Sequence, residues 1–205
     1  MKNTMKIFTY LLTVLFLCGF MMPSMAQSGT DDFPTDDVQI KLAIKSAPSD
    51  KAEGAKVLGY NKKGEIVVLR QGTNDLVCLA DDPFKKDIHT ACYFKELEPF
   101  MARGRELKAE GVSTKEMRKI RGEEAASGKL QLPEKPATLF VFDADEEAVD
   151  LSTGDVAESR IRSVIYVPYL TGEESGLPTK PVGGGLPWLM DAGTHRAHIM
   201  ITPAK

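Results

Sequence analysis

The feature that most constrains this chain is its start, because it decides which residues belong to the fold and in which redox environment they fold. Lys2 and Lys6 give a positive beginning. Residues 7–22 then run apolar, interrupted by Thr9, Thr13 and Gly19, and Pro23 breaks the run. Ser24 and Ala26 put small residues three places and one place before Gln27. A charged start, an apolar middle and a small-residue cleavage site together read as a secretory signal peptide over residues 1–26. A retained membrane anchor is the rival reading, although the run is short for a span of about 20 residues. A lipid anchor at Cys18 would want a small residue before it, and Leu17 is large. The expected location is periplasmic or secreted.

Removing 26 of the 205 residues leaves 179, enough for one domain that buries about two-thirds of its unfolded surface. The expected division is a signal peptide at 1–26, a disordered polar leader at 27–35 and a single domain at 36–205. The signal takes two lysines and no acid from a net charge of −3, leaving −5. Such a balance offers no electrostatic reason to bind nucleic acid or anionic lipid. No later segment approaches a transmembrane length, so no membrane span is expected after the signal. Cys18 leaves with it, and Cys78 and Cys92 remain. In an oxidising compartment an even pair is most simply a disulfide, which at this loop length stabilises by roughly 3 kcal/mol. Two buried thiols or metal ligation are the alternatives.

Residues 38–47 alternate like a strand, yet Asp36 could cap a helix and Pro48 could follow one, and the reading leans to a short docking helix. Lys56-Val57-Leu58-Gly59-Tyr60 and Glu65-Ile66-Val67-Val68-Leu69-Arg70, joined by Asn61-Lys62-Lys63-Gly64, read as a β-hairpin. After a turn at Gln71-Gly72-Thr73-Asn74, Leu76-Val77-Cys78-Leu79 reads as the third strand of an antiparallel meander. Tyr93, Phe94, Leu97, Phe100, Met101 and Leu107 recur at helical spacing, and Pro99 would kink such a helix or mark its true start, so a break is expected there. Ser113-Thr114-Lys115-Glu116 has capping-box spacing and opens a strongly charged helix to about Ser127, read as a solvated surface helix. Strands return at 138–142, 163–167 and 197–202. The acidic stretch between the first two lacks an EF-hand pattern and reads as a solvated connection rather than a calcium loop. Residues 172–193 are dominated by Gly and Pro and hold the only tryptophan, Trp188. Leu186, Trp188, Leu189 and Met190 there want burial, so this long connection reads as an ordered loop packed over the sheet. The fold class is α+β: an antiparallel sheet of five or six strands with two or three helices packed on one side.

All three histidines fall in two short motifs, His89-Thr90-Ala91-Cys92 and Asp191-Ala192-Gly193-Thr194-His195-Arg196-Ala197-His198. These residue types suit zinc, but the spacing is only permissive. Residues three apart on a strand point to opposite faces, so His195 and His198 could share a metal only if His195 stays in the loop. A disulfide would also remove Cys92 as a ligand. No G-x-S-x-G elbow, H-E-x-x-H, P-loop or G-x-G-x-x-G is present. Ser175 or Thr194 with His195 could be imagined as nucleophile and base, without support from spacing.

Leu69-Arg70-Gln71-Gly72-Thr73-Asn74, Cys78-Leu79-Ala80-Asp81-Asp82-Pro83, Ala91-Cys92-Tyr93, Leu97-Glu98-Pro99-Phe100-Met101-Ala102-Arg103-Gly104, Ile165-Tyr166-Val167-Pro168-Tyr169, Pro187-Trp188-Leu189-Met190 and Ala197-His198-Ile199-Met200-Ile201 together resemble a group of exported bacterial hypothetical proteins of unknown function. The resemblance covers roughly 57–203 and transfers no catalytic role. The expected function is a non-enzymatic periplasmic or secreted binding or envelope-associated module. Its contact surface would be the loop around Trp188 with Asp191, His195 and His198, its partner a small molecule or an envelope protein, and no cofactor is expected. The alternative is a metal-dependent hydrolase or other enzyme using His89, His195 and His198.

Overall fold

Apolar residues occupy both alternating positions of the central strands, which dictates a sheet covered from two sides. The computed structural model describes residues 33–203; the expected signal segment and most of the expected leader lie outside them. In chain order the elements are α1 (Asp36–Ala43), β1 (Lys56–Tyr60), β2 (Ile66–Arg70), β3 (Leu76–Leu79), β4 (Ile88–Phe94), α2 (Glu98–Ala109), α3 (Thr114–Ala126), β5 (Ala137–Ala144), β6 (Val149–Asp150), β7 (Asp155–Val156), β8 (Arg160–Tyr166), α4 (Gly172–Ser175), β9 (Trp188–Met190) and β10 (His198–Ile201). Eight strands form one sheet in the order β2-β1-β3-β4-β5-β8-β10-β9, and β6 and β7 form a separate ribbon.

The α+β class holds, but the sheet is larger than five or six strands and is mixed. β1 and β2 form the expected hairpin, whereas β3 pairs with the other side of β1, and in parallel. The turn before β3 explains this. Thr73 and Asn74 donate their backbone N–H groups to the Gly54 carbonyl at 2.8 and 3.1 Å, and the Asn74 side chain donates to the Lys51 carbonyl. The chain is thereby tied to the segment that precedes β1 and enters alongside it. Gly72 makes the approach possible, since a β-carbon there would lie 2.6 Å from the Lys56 nitrogen.

Two other segments differ from expectation. Tyr93 and Phe94 end β4, because they pair with Val77 and Leu76 of β3. Pro99 sits in the first turn of α2, where a proline costs no helical hydrogen bond, so it marks the true start of the helix, one of the two expected outcomes. Trp188, Leu189 and Met190 are an edge strand on β10 rather than loop.

The pleat sorts the core into two faces. Leu58, Val77, Tyr93, Leu139 and Val164 share one face, on which Leu97 and Met101 of the α2 region pack. Val57, Leu76, Cys78 and Cys92 share the other, covered by Ile40, Ala43 and Ile44 around α1. Helices therefore cover both sides of the sheet instead of one. β6 and β7 contribute Val149 and Val156 over Ile88 and Phe142. Among the described residues no helix is long and apolar enough to cross a membrane.

Polar contacts lock the helices in place. Thr35 caps α1, accepting from the Val38 N–H. The buried Gln39 side chain accepts from the Tyr60 N–H at 2.8 Å and donates to the Tyr60 carbonyl at 3.0 Å, replacing a strand partner where β3 has diverged from β1. Gly59 leaves room for it, because a β-carbon would stand 2.6 Å from Gln39 Oε1. At α2, Tyr93 Oη donates to Glu98, and Arg105 bridges both groups. α3 has no fully buried residue. It is held by Arg103, whose Nε and Nη2 both reach the Glu124 carboxylate at 2.9 Å.

Cys78 and Cys92 stand directly opposite each other on β3 and β4, with their sulfurs at disulfide-bonding distance. Replacing both by alanine, or reducing them, is expected to lower unfolding free energy by about 3 kcal/mol in urea titration. An unfolding midpoint indifferent to reductant contradicts a stabilising bridge.

Candidate functional site

The structure separates the three histidines. His89 lies on β4 and donates from Nδ1 to Asp143 of β5 at 2.6 Å. Asp143 pairs with Arg160, at the start of β8, while His198 pairs with Tyr166 at its end. From 160 to 166 the strand rises about 20 Å, so His89 and His198 occupy opposite ends of the sheet. Among the described residues no group of three or more His, Cys, Asp or Glu side chains is placed to hold a metal ion.

Beside His89, Asp81 accepts its backbone N–H at 2.8 Å. Burial pushes the Asp81 carboxyl up from 3.8 to about 6, against the pull of that hydrogen bond.

Asp191, His195 and His198 lie at the other end, where β9 returns to β10, and Trp188 lies two positions along β9 from Met190, the cross-strand partner of His198. Tyr166 of β8 and His198 of β10 are cross-strand partners, and their rings stack with centroids 5.2 Å apart. Phe100 of α2 packs on Tyr166 at 5.7 Å and on His195 at 6.1 Å. The Arg121 guanidinium of α3 lies 4.2 Å over the Phe100 ring. Two helix glycines make the room. A β-carbon at Gly122 would stand 3.0 Å from His195 Cε1, and one at Gly104 would stand 3.0 Å from Arg121 Nη1. Glycine inside a helix costs up to about 1 kcal/mol relative to alanine, so both positions trade helix stability for these neighbours. Trp188 is half-buried on β9, abreast of Met200.

Burial and neighbouring charge here favour the neutral form of both rings. Burial lowers the His198 pKa, and its Nδ1–H donates to the Arg196 carbonyl at 2.5 Å. Burial also lowers His195, as do the charges of Arg196 and Arg121. The same burial, with Arg196 and Arg118 nearby, lowers Arg121. Asp191 faces Arg196 at 3.3 Å. The Thr194 hydroxyl donates to the Asp191 carbonyl and accepts from the Arg196 N–H, and the Ser175 hydroxyl donates to the Gly172 carbonyl. Neither hydroxyl is bonded to a histidine, so no nucleophile–base pair is assembled.

The residue that sequence reasoning passed over is Tyr169. Its φ is 65°, a left-handed conformation unusual for a bulky residue, and the residue is 48% exposed. The strand-to-loop junction holds it there: the Tyr169 N–H donates to the Thr194 carbonyl and the Gly193 N–H to the Leu170 carbonyl, each at 2.8 Å. Tyr169 overlooks two adjoining hollows, of about 960 and 480 Å³, which share the segment at 133–136 as a common wall. Phe94, Leu130 and Pro99 line the larger one. Strained backbone concentrates at sites of function, but the left-handed conformation depends on a contact 25 residues away, from 169 to 194, and no local motif announces it. No protein family, curated protein or solved structure matches the chain.

The raised Asp81 pKa predicts a pH dependence. A carboxyl raised on folding stabilises fully below its unfolded value of 3.8, and that contribution fades as pH climbs through about 6. Asp81→Asn is expected to remove this fall and to raise stability at pH 7 by about 1 to 2 kcal/mol, the full shift being discounted for partial solvent screening. Urea unfolding at pH 4 and pH 7 checks it; parallel pH profiles for parent and variant contradict it.

Proposed function

We propose that the chain is an exported, non-enzymatic binding module, and that its recognition surface is the hollow beneath Tyr169. The observation that carries this reading is the conformation of Tyr169, an exposed aromatic held in left-handed backbone at the rim of a space of about 960 Å³. That volume suits a small organic ligand. The lining is mixed: Phe94, Leu130, Leu132 and Pro136 supply apolar surface, and Glu96, Gln131, Glu134, Lys135 and Thr138 supply polar groups. An aromatic face beside proline rings offers a stacking surface to flat ring compounds. The cystine-distance pair and the signal-like start fit an oxidising destination.

A soluble library of flat ring compounds, titrated into isotope-labelled protein, tests the surface. Expected are resonance shifts confined to 130–138 and Tyr169, abolished by Tyr169→Ala and unchanged by His89→Ala. Shifts that survive Tyr169→Ala, or that fall elsewhere, overturn the assignment. Tyr169→Gly is expected to be more stable than Tyr169→Ala by about 1 kcal/mol, because glycine accepts the left-handed conformation. Export has its own check: protein recovered from outside the cytoplasm is expected to begin at Gln27, and an intact Met1 on cytoplasmic protein contradicts it.

A further inference from the structure

Among the described half-buried arginines, only Arg121 has no acceptor on its Nε–Nη2 edge. Arg103 sets that edge on Glu124, and Arg70 sets it on the carbonyls of Ala55 and Ala52. Arg105, Arg162 and Arg196 each place Nη2 near a carboxylate. Arg121 donates only from Nη1, to the Phe100 carbonyl at 3.2 Å, and its Nε is buried without a partner. The nearby His195 Nε2 is also buried without a partner.

The charge around this pair is unbalanced. Arg118 and Arg196 both act on Arg121, and Arg196 acts on His195. Against three guanidiniums the cluster holds one carboxylate, Asp191, which faces Arg196. Packing like charges together, one of them half-buried, is costly unless an anion joins them. The Nε–Nη2 edge of a guanidinium is the edge that takes two oxygens side by side, as Arg103 does with Glu124 on the same pair of helices. Gly104 gives room to the Nη1 side of Arg121, and Gly122 gives room to the His195 ring.

We propose that Arg121, with Arg118, Arg196 and His195, forms a binding site for an oxyanion, the phosphate or carboxylate group of a small ligand. Arg121 grips two oxygens through its fork. Arg118 and Arg196 supply the attracting charge, and His195 donates from Nε2 in the tautomer that carries its proton there. Because Nε is shielded from water, seating the anion requires the turn at 191–196 to adjust while keeping His195 and Arg196 on the ligand. The site does not depend on the hollow beneath Tyr169.

The test uses inorganic phosphate, succinate and chloride at matched ionic strength, which removes general screening. The arginine Nε–Hε resonances of the purified protein are followed by NMR. The expected result is a saturable shift of the Arg121 signal with phosphate or succinate and none with chloride. Response to phosphate alone assigns a phosphoryl group, and response to succinate alone a carboxylate. Arg121→Gln is expected to weaken binding, read by calorimetry, about tenfold or more, the loss typical of a charge-assisted pair. Arg118→Gln should weaken it several-fold, and Lys119→Gln, on the same helix but paired with Glu116, should leave it unchanged. Should Arg121→Gln unfold, the wild-type resonance and Arg118→Gln still decide. An Arg121 signal indifferent to both anions, or one that moves equally with chloride, overturns the site.

Discussion

The arrangement of this fold depends on the register of β5 between β4 and β8. From Ala137 to Ala144 the strand is paired on both sides, so its alternation decides which side chains face α2 and which face away. A slip of one residue would exchange the faces. It would carry Leu139 and Val141 away from the α2 side and bring Phe140 and Phe142 in their place. The register continues through β4, where it sets Cys92 opposite Cys78, and through β8, where it sets Tyr166 opposite His198. The sulfur pair and the aromatic stack are thus two readouts of one alignment.

The two helices that follow β4 are attached by different physics. α2 is anchored by apolar burial, with Phe100 and Leu107 almost inaccessible. α3 has no fully buried residue and is attached through arginines, Arg103 on Glu124 and Arg121 on Phe100. The Glu124 carboxyl is held below its usual range chiefly by its hydrogen bonds with Arg103. This clamp therefore stabilises above the ordinary glutamate pKa and is lost as pH falls below it. A helix fixed by side-chain charges can shift without opening the core, which suits a face that carries ligand-seeking groups.

Much of this architecture was legible in the sequence. The hairpin of β1 and β2, the strands β3, β5, β8 and β10, the cysteine partnership and the capping of α3 by Ser113 follow from local patterns. The rest was decided at a distance. The tyrosine and phenylalanine at 93 and 94 fit helical spacing with Leu97, and only pairing with β3 makes them strand. The turn at Gln71-Gly72-Thr73-Asn74 looks like a second hairpin until Gly54 captures its N–H groups. At the site, the grouping of Asp191, His195 and His198 was visible because they are neighbours in sequence. Arg121 was hidden in a charged helix face, where nothing marks one arginine as lacking an acid.

The Gln39 amide that stands in for a strand at Tyr60 has a kinetic meaning. α1 is the earliest described helix to be synthesised, yet it has nothing to dock on until Tyr60 and the face bearing Cys92 exist. Contacts so far apart in sequence form late, because loop closure must precede them. Until then Tyr60 keeps its backbone groups open and the sulfur-bearing face stays uncovered. The N-terminal helix is thus made early and seated late.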